Sequence, residues 1–278
     1  MDEQSFLAVF AHPDDESFGV GGILRAYSDR GIKTALICAT RGEEGEINDP
    51  SLATRETLGA VREQELRTAC ALMGVDDLMF LGYHDGTVAA ASRVEAVGKI
   101  VHEIRRLRPQ VIATFDANGG YGHTDHIAIH AFTLEAFKLA GDPSAYPEQL
   151  TAGLKPYTPQ KLYYVAIQRS MVLGIRDELL KQGIDFVPGG NMATIPVEQM
   201  GTPDEDITTV VTLDDRSVDT KIAAWHAHRT QVDPKGFPET MDPEAARQWS
   251  ATERFVRAIP PMGRNEPREA DLFEGIPA

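Results

Sequence analysis

The sequence FLAVFAHPDDES, residues 6–17, joins a short apolar run to a cluster of acidic residues. An apolar run of this length, bounded by polar residues, is typical of a buried strand. Helix-like periodicity follows over residues 17–30, and Gly31 is a common helix-ending residue. The segment therefore predicts one β-α unit with the acidic cluster at the carboxyl end of its strand.

The same alternation of strand and helix patterns continues through the first half of the chain. Such alternation predicts a Rossmann-like, doubly wound α/β fold: a mostly parallel sheet with right-handed crossovers and helices on both faces. In the usual strand order the first and fourth strands are neighbours, and ligands bind beyond their carboxyl ends. The further predicted strands are 33–40, 78–81 and 111–115, and the further predicted helices are 54–73, 94–107 and one that starts near 124.

The second half of the chain has a less regular pattern. It predicts a loop or insertion over 141–160, a strand over 161–167, helices over 217–231 and 243–257, and an irregular surface segment after Ile259. We expect a single domain over 1–278. In it, 1–140 form the Rossmann-like core, and 141–278 supply the remaining strands and helices, insertions and an irregular C-terminal extension.

Composition disfavours several classes of partner. The 278-residue chain carries a formal net charge of −15, which disfavours nucleic acid, because such binders need a basic stripe. No apolar run approaches the roughly 18 residues that cross a membrane, and the N-terminus lacks the basic segment of a secretion signal. We expect a cytoplasmic protein without a membrane partner, with homo-oligomerisation left open. Its cysteines, Cys38 and Cys70, are expected to be buried small hydrophobes.

The acidic cluster contains a histidine and two adjacent aspartates, His12, Asp14 and Asp15. Asp15 falls three residues after His12, so both side chains can turn toward one point as the next helix begins. This arrangement suits two ligands of one metal ion. A helix N-terminus also favours acidic residues, but that explanation accounts for any one of the acids and not for the histidine.

A second histidine pair, His123 and His126, follows the fourth predicted strand through the glycine-rich loop 119–122. One of these histidines can bind a metal while the other faces a substrate. A single histidine in the first turn of a helix is more often a surface residue. The acidic cluster on the neighbouring strand makes a shared site the better interpretation.

Two histidine nitrogens and one carboxylate, with a position left for water, are the ligands of a catalytic zinc site. The same set also accepts Fe²⁺. A carboxylate beside the ion can take a proton from the attacking water, and Asp14 is the candidate for that role. For the oxyanion that forms on the attacked carbonyl, the nearby candidates are the metal, His123 and Tyr121.

Three motifs resemble those of the LmbE-like, or PIG-L, de-N-acetylases: AHPDDES at 11–17, GEEGE at 42–46 and GGYGHTDH at 119–126. A weaker match, KIAAWHAHRTQ, lies at 221–231. The resemblance implies a zinc site and a set of roles. His12, Asp15 and His126 would bind zinc, Asp14 would be the general base, and His123 with Tyr121 would stabilise the oxyanion or protonate the leaving amine.

By the same resemblance Glu46 and Arg62 are expected to contact a sugar. Arg62 lies in a helix dense with charges, where an exposed ion pair is the commoner fate of an arginine. Asp125 is expected to orient a metal-binding histidine by a hydrogen bond to its other ring nitrogen. Helix capping would explain an aspartate at this position almost as well. His226 and His228 belong to the weaker motif, and the resemblance leaves open that one of them approaches the site. We expect both to be packed or surface residues outside the catalytic set.

The function implied is metal-dependent removal of the N-acetyl group from an N-acetylglucosamine-containing small molecule. Some thiol-conjugate amidases of the family carry a basic residue where this chain has 18–21, and the loop after Glu46 looks shorter than in mycothiol deacetylases. These departures favour the malate glycoside of bacillithiol biosynthesis as substrate. A thiol-conjugate amidase, a non-catalytic metal- or sugar-binding module and a metallophosphoesterase are the alternatives.

Overall fold

A seven-stranded sheet organises the computed structural model, which describes residues 3–181, 183, 196–236, 238–263 and 266–277. The strands are β1 (Ser5–Phe10), β2 (Lys33–Cys38), β3 (Asp77–Phe80), β4 (Val111–Thr114), β5 (Lys161–Val165), β6 (Thr209–Thr212) and β7 (Thr252–Ile259). Their order in the sheet is β3-β2-β1-β4-β5-β7-β6. Strands β1 to β5 run parallel, and β7 runs antiparallel to both of its neighbours, β5 and β6. The predicted α/β fold with a mostly parallel sheet is confirmed.

The described residues form ten α-helices. They are α1 (Asp15–Gly19), α2 (Gly21–Asp29), α3 (Leu58–Met73), α4 (Arg93–Leu107), α5 (Gly119–Gly122), α6 (Thr124–Leu139), α7 (Pro147–Thr151), α8 (Arg169–Lys181), α9 (Asp215–Ala227) and α10 (Pro243–Ser250). Helices α2, α3 and α9 pack on one another, and α4 packs on α6, as expected for a doubly wound sheet. Over the described ranges, each helix is too short or too polar to span a lipid bilayer.

Strand β1 forms the centre of the core, and all of its residues are buried. It lies between β2 and β4, with Leu7 paired to Ala35 on one side and to Ile112 on the other. The predicted pairing of the first and fourth strands is therefore confirmed. Because parallel strands end at the same edge of a sheet, the segments that follow β1 and β4 meet there.

The first predicted helix is divided in two, because Val20, with φ −145°, separates α1 from α2. The backbone N–H groups of Gly22 and Ile23 donate to the two carboxylate oxygens of Glu253 at 2.8 and 3.0 Å. Glu253 also accepts a hydrogen bond from Lys221 at 2.7 Å and is buried. A carboxylate from β7 thus satisfies the free N–H groups at the start of α2.

The second half of the chain differs from the prediction in several elements. The predicted helix 243–257 is wrong beyond Ser250, where α10 ends and β7 soon begins. In β7 the buried residues Glu253 and Phe255 alternate with more exposed neighbours, which is the pattern of a strand. The predicted strand 161–167 corresponds to β5, and the predicted helix 217–231 corresponds to α9, which ends at Ala227. Strand β6 and helix α8 were not predicted, and neither was α7, which lies within the predicted loop 141–160.

The segment after Ile259 is irregular in its described part, but its predicted surface location is wrong. Leu272 and Phe273 are buried, and the Phe273 ring packs edge-on against Tyr27 with centroids 5.2 Å apart. Glu269 accepts hydrogen bonds from Lys161 at 2.7 Å and from Tyr163 at 2.6 Å. The apolar and charged side chains of this segment therefore tie it to α2 and β5.

Candidate metal centre and active site

Two loops that are far apart in the chain meet at the carboxyl ends of β1 and β4. The first carries His12 two residues after the end of β1, and the second leads to His126 in the first turn of α6. Nδ1 of His12 lies 3.0 Å from Nε2 of His126. Two ring nitrogens that both present lone pairs at this distance would repel each other, so a proton or a cation is needed to stabilise the contact.

The carboxylate of Asp15 completes a triangle with the two histidines. One of its oxygens lies 3.7 Å from Nδ1 of His12, and the other lies 3.4 Å from Nε2 of His126. A tetrahedral ion with bonds of roughly 2.1 Å holds its ligands about 3.4 Å apart. The backbone N–H of His12 donates to Asp15 at 2.8 Å, which fixes the carboxylate. The donor set and its spacing therefore fit one divalent cation.

His123 lies beside the same point. The ligand atoms of His12, His123 and His126 all fall within 4.8 Å of one another, so these three residues form an alternative metal-binding set. Nδ1 of His123 accepts a hydrogen bond from the backbone N–H of Asp125 at 3.2 Å and caps α6. The acceptor role of Nδ1 places the proton of a neutral ring on Nε2. Burial lowers the pKa of His123, which favours this neutral form.

The ring of His126 is held on two sides. It stacks on Phe115 with centroids 3.9 Å apart, and Nδ1 lies 3.1 Å from the carbonyl oxygen of Gly119. A hydrogen bond donated by Nδ1 leaves Nε2 as the lone-pair donor that a metal requires. Burial lowers the pKa of His126 to about 2, with the nearby charge of His12 acting in the same direction. The ring is therefore neutral, as a ligand must be.

The outer nitrogen of His12 faces two carboxylates. Nε2 lies 3.0 Å from Asp85 and 3.4 Å from Asp125. Asp125 is fully buried and accepts backbone hydrogen bonds from Gly86 at 2.8 Å and Val88 at 3.1 Å. Burial opposes a charge on His12, yet the hydrogen bonds to Asp125 and Asp85 raise its pKa to about 10, so a metal ion at Nδ1 would have to displace a proton. Asp125 thus contacts a histidine of the cluster, while His123 caps α6.

Asp85 belongs to this cluster but was not predicted from the sequence. It lies in the loop after β3, is buried, and accepts a hydrogen bond from the backbone N–H of Glu44 at 3.1 Å. Although burial opposes its charge, its hydrogen bond with His12 holds its pKa below the usual range. The available signal was its place after a parallel strand, at the edge of the sheet that holds the other site residues.

Asp14 lies between the metal-binding set and Arg62. Its side chain is partly exposed, and one oxygen accepts a hydrogen bond from Nη2 of Arg62 at 3.0 Å. Burial raises the pKa of Asp14 to about 6, against the opposing effect of Arg62.

Tyr121 lies on another side of the site, with its ring centroid 5.0 Å from that of His126. Burial raises the pKa of its hydroxyl, so Tyr121 stays protonated and can donate a hydrogen bond.

Arg62 is buried, so the alternative of an exposed ion pair is wrong. Besides Asp14, its guanidinium donates to the carbonyl oxygens of Gly42 at 2.9 Å and Pro13 at 2.5 Å. A Cβ atom on Gly42 or Gly45 would come within 2.2 Å of Nη1, so the GEEGE segment can lie on the guanidinium only with glycine there. Glu46, by contrast, is exposed on the same loop. The two predicted sugar contacts are thus in different surroundings.

The two histidines of the weaker motif have different surroundings. His226 is exposed and contacts Glu239 at 3.1 Å. His228 is fully buried and bonds through Nε2 to Glu16 at 2.7 Å. His226 lies at the surface, as expected, whereas buried His228 contacts the acidic cluster, which matches the alternative that one histidine of this motif approaches the site.

Comparison with known proteins assigns the chain to a family. The family model described as PIG-L, GlcNAc-PI de-N-acetylase, matches residues 7–137. The 1D-myo-inositol 2-acetamido-2-deoxy-alpha-D-glucopyranoside deacetylase of Streptomyces avermitilis is 35% identical, over 99% of this chain and 98% of the relative. The chain belongs to the PIG-L family. The deacetylase of the same name from Thermobifida fusca is 37% identical, over 98% of this chain and 100% of the relative.

Membership of the PIG-L family makes the chain a hydrolytic de-N-acetylase. Among solved structures, N,N'-diacetylchitobiose deacetylase from Pyrococcus horikoshii superposes with a TM-score of 0.67 at 20% identity, covering 99% of this chain and 87% of that one. At this identity the likeness shows a common fold and nothing finer.

Proposed function

We propose that this PIG-L protein hydrolyses the acetamide of an N-acetylglucosamine-containing small molecule, releasing acetate and a free amine. The observation that carries the proposal is the triangle formed by Nδ1 of His12, Nε2 of His126 and the Asp15 carboxylate, with Asp14 next to it. These three residues would hold the catalytic ion, and zinc is favoured because two histidines and one carboxylate leave a fourth position open. Fe²⁺ suits the same ligands.

A divalent ion bound there would acidify a water and polarise the acetamide carbonyl. Asp14 would take the proton of the attacking water, because its carboxylate is adjacent to the ligand Asp15 and is held by Arg62. His123 would donate from Nε2 to the oxyanion, since its Nδ1 already accepts a backbone N–H. The protonated hydroxyl of Tyr121 would be the second donor. Asp14 would then return the proton to the amine nitrogen, so that the C–N bond breaks and the amine leaves.

The substrate we favour is the α-glycoside of N-acetylglucosamine with myo-inositol. Two relatives that align with nearly the whole chain carry that compound in their names, which weighs against the malate glycoside favoured by the sequence analysis. The small departures at 18–21 and after Glu46 are therefore poor guides to the aglycone. Exposed Glu46 is the candidate to accept hydrogen bonds from sugar hydroxyls. Nη1 and Nη2 of Arg62 donate to protein oxygens, so we assign Arg62 a role through Asp14.

The test is an acetate-release assay on three substrates: the inositol glycoside, the malate glycoside and an N-acetyl thiol conjugate. The protein is stripped with a chelator and reloaded with Zn²⁺ or Fe²⁺. We expect metal-dependent acetate release, with the largest kcat/KM for the inositol glycoside. Preferential cleavage of the conjugate would make the chain an amidase of another class. Absence of turnover on every acetamido sugar with either metal would overturn the proposal.

A further inference from the structure

The backbone of Asp14 has a conformation that side chains rarely adopt, with φ 121° and ψ −30°. Such a conformation persists only where surrounding groups hold it. Two groups do so here. Arg62 donates to the carbonyl oxygen of Pro13 and to the Asp14 carboxylate, and the carboxylate of Glu16 accepts the backbone N–H of Asp14 at 3.0 Å. The orientation of the candidate base therefore depends on where the Glu16 side chain lies.

Glu16 is itself fixed by a residue from the other end of the chain. One oxygen of its buried carboxylate accepts from the hydroxyl of Ser17 at 2.6 Å and bonds to Nε2 of His228 at 2.7 Å. The other oxygen is the one that holds Asp14. Of the three residues that bond to Glu16 here, Asp14 and Ser17 belong to the same turn, whereas His228 lies 212 residues away in the chain.

The turn that carries His228 is fixed by its own hydrogen bonds. The backbone N–H and the hydroxyl of Thr230 donate to the two oxygens of buried Glu65, in α3, at 2.8 and 2.7 Å. The side chain of Gln231 donates to the carbonyl oxygen of Glu46 at 2.9 Å. The segment 228–231 thus connects α3, the GEEGE loop and the acidic cluster, and it can hold His228 without depending on the substrate.

We infer that His228 is a positioning residue for Asp14, acting through the carboxylate of Glu16. The inference rests on the proposed function, in which Asp14 is the base. Loss of the His228 bond would leave the Glu16 carboxylate free to turn and would release the backbone N–H of Asp14. A base displaced by as little as about 1 Å can cost about 100-fold in rate, while substrate binding is little affected.

The experiment compares His228→Leu with His228→Gln, whose amide N–H can replace Nε2–H, and with the control His226→Leu. His226 is exposed and contacts Glu239 rather than the acidic cluster. For His228→Leu we expect kcat to fall about 10- to 100-fold, with KM and bound zinc per chain within about twofold of the unmodified protein. His228→Gln should recover most of kcat, and His226→Leu should match the unmodified protein. A residue with a merely structural role would change the melting temperature without this split between kcat and KM.

A second readout does not depend on turnover. In a crystal structure of zinc-loaded His228→Leu we expect Asp14 to leave its positive φ and its carboxylate to lose the bond to Arg62. An unchanged Asp14, or an unchanged kcat in an acetamide-cleaving protein, would overturn the inference. If the unmodified protein cleaves no acetamido sugar, the proposed function fails. The conformation of Asp14 in the His228→Leu crystal structure then still tests whether His228 positions Asp14. Should His228→Leu not fold, Glu16→Gln is used, since its amide nitrogen cannot accept a bond and the same fall in kcat is expected.

Discussion

Nδ1 of His12 and Nε2 of His126 lie 3.0 Å apart, although 114 residues separate them in the chain. The contact exists because β1 and β4 are parallel neighbours, so the segments after them start from the same edge of the sheet. Removing either ring should therefore disable the same metal site. For His126→Ala we expect bound zinc to fall more than about tenfold, with loss of acetate release.

Metal content after dialysis is the measurement, and His102→Ala is the control. His102 is an exposed histidine of α4 that contacts Glu103. Its replacement should leave bound zinc unchanged. Full zinc occupancy in His126→Ala would show that the ion binds elsewhere.

Asp14→Asn should separate catalysis from metal binding. The amide oxygen can still accept the hydrogen bond from Arg62, so the geometry is kept while the ability to take a proton is lost. We expect kcat to fall about 10²- to 10⁴-fold, the usual contribution of a general base, with zinc content unchanged. Steady-state acetate release measures the fall in kcat, and metal analysis measures the zinc content. Normal turnover in this variant would remove Asp14 from the role of base.

The carboxylates behind His12 should control metal affinity rather than the chemical step. Asp85 lies 3.0 Å and Asp125 3.4 Å from Nε2 of His12, where each can fix the ring and raise the basicity of Nδ1. We expect Asp85→Asn and Asp125→Asn to lower zinc affinity about 10- to 100-fold. Competition with a chromogenic chelator measures the affinity, and exposed Asp177→Asn is the control. Equal affinity in all four proteins would show that neither carboxylate supports the ligand.

The elements of the first half were predictable because each carries its own local pattern. The apolar runs of β1, β2 and β4 each fill a buried strand, and the glycine or proline that follows a helix marks its end. Strand β7 was not predictable in the same way. It follows α10 almost directly, and its mixture of charged and apolar residues continues the helical pattern until pairing with β5 and β6 is known.

The candidate site shows the same division between local and tertiary information. His12, Asp15 and His126 lie in motifs directly after predicted strands, so their meeting could be anticipated. Asp85 also follows a predicted strand, but the polar loop around it does not show that its carboxylate is buried against His12. The burial of Arg62 depends on two glycines of another loop, and the contact of His228 with Glu16 depends on how α9 packs. Single-sequence patterns do not contain these relationships.

Gly119 and Gly120 both have positive φ, at 63° and 73°, but only one of them touches the metal site. A Cβ atom on Gly119 would lie 2.7 Å from Cβ of His126 and 2.9 Å from the backbone nitrogen of Ile127, whereas one on Gly120 would meet nothing within 4 Å. Gly120→Ala should therefore cost only the backbone strain of a left-handed residue, about 1–2 kcal/mol. Gly119→Ala should in addition displace His126 and lower zinc affinity. Thermal unfolding with metal titration compares the two, and equal zinc affinity would contradict the steric argument.

Glu269 should make the stability of the protein depend on pH. Its buried carboxylate contacts Lys161 at 2.7 Å and Arg257 at 2.6 Å. Burial alone would raise the pKa of Glu269, but its hydrogen bonds with Lys161, Tyr163 and Thr209 lower it. Because the pKa is lower in the folded state, the stabilisation is present above the unfolded value of about 4.3 and is lost as pH falls through the folded value.

Glu269→Gln should therefore reduce the free energy of unfolding by about 3 kcal/mol at pH 7, and by less in acid. Urea unfolding at several pH values tests this against Glu95→Gln, which removes an exposed pair with Lys99 and should cost less than about 1 kcal/mol. Equal losses in the two variants at pH 7 would show that the C-terminal segment is not held through Glu269.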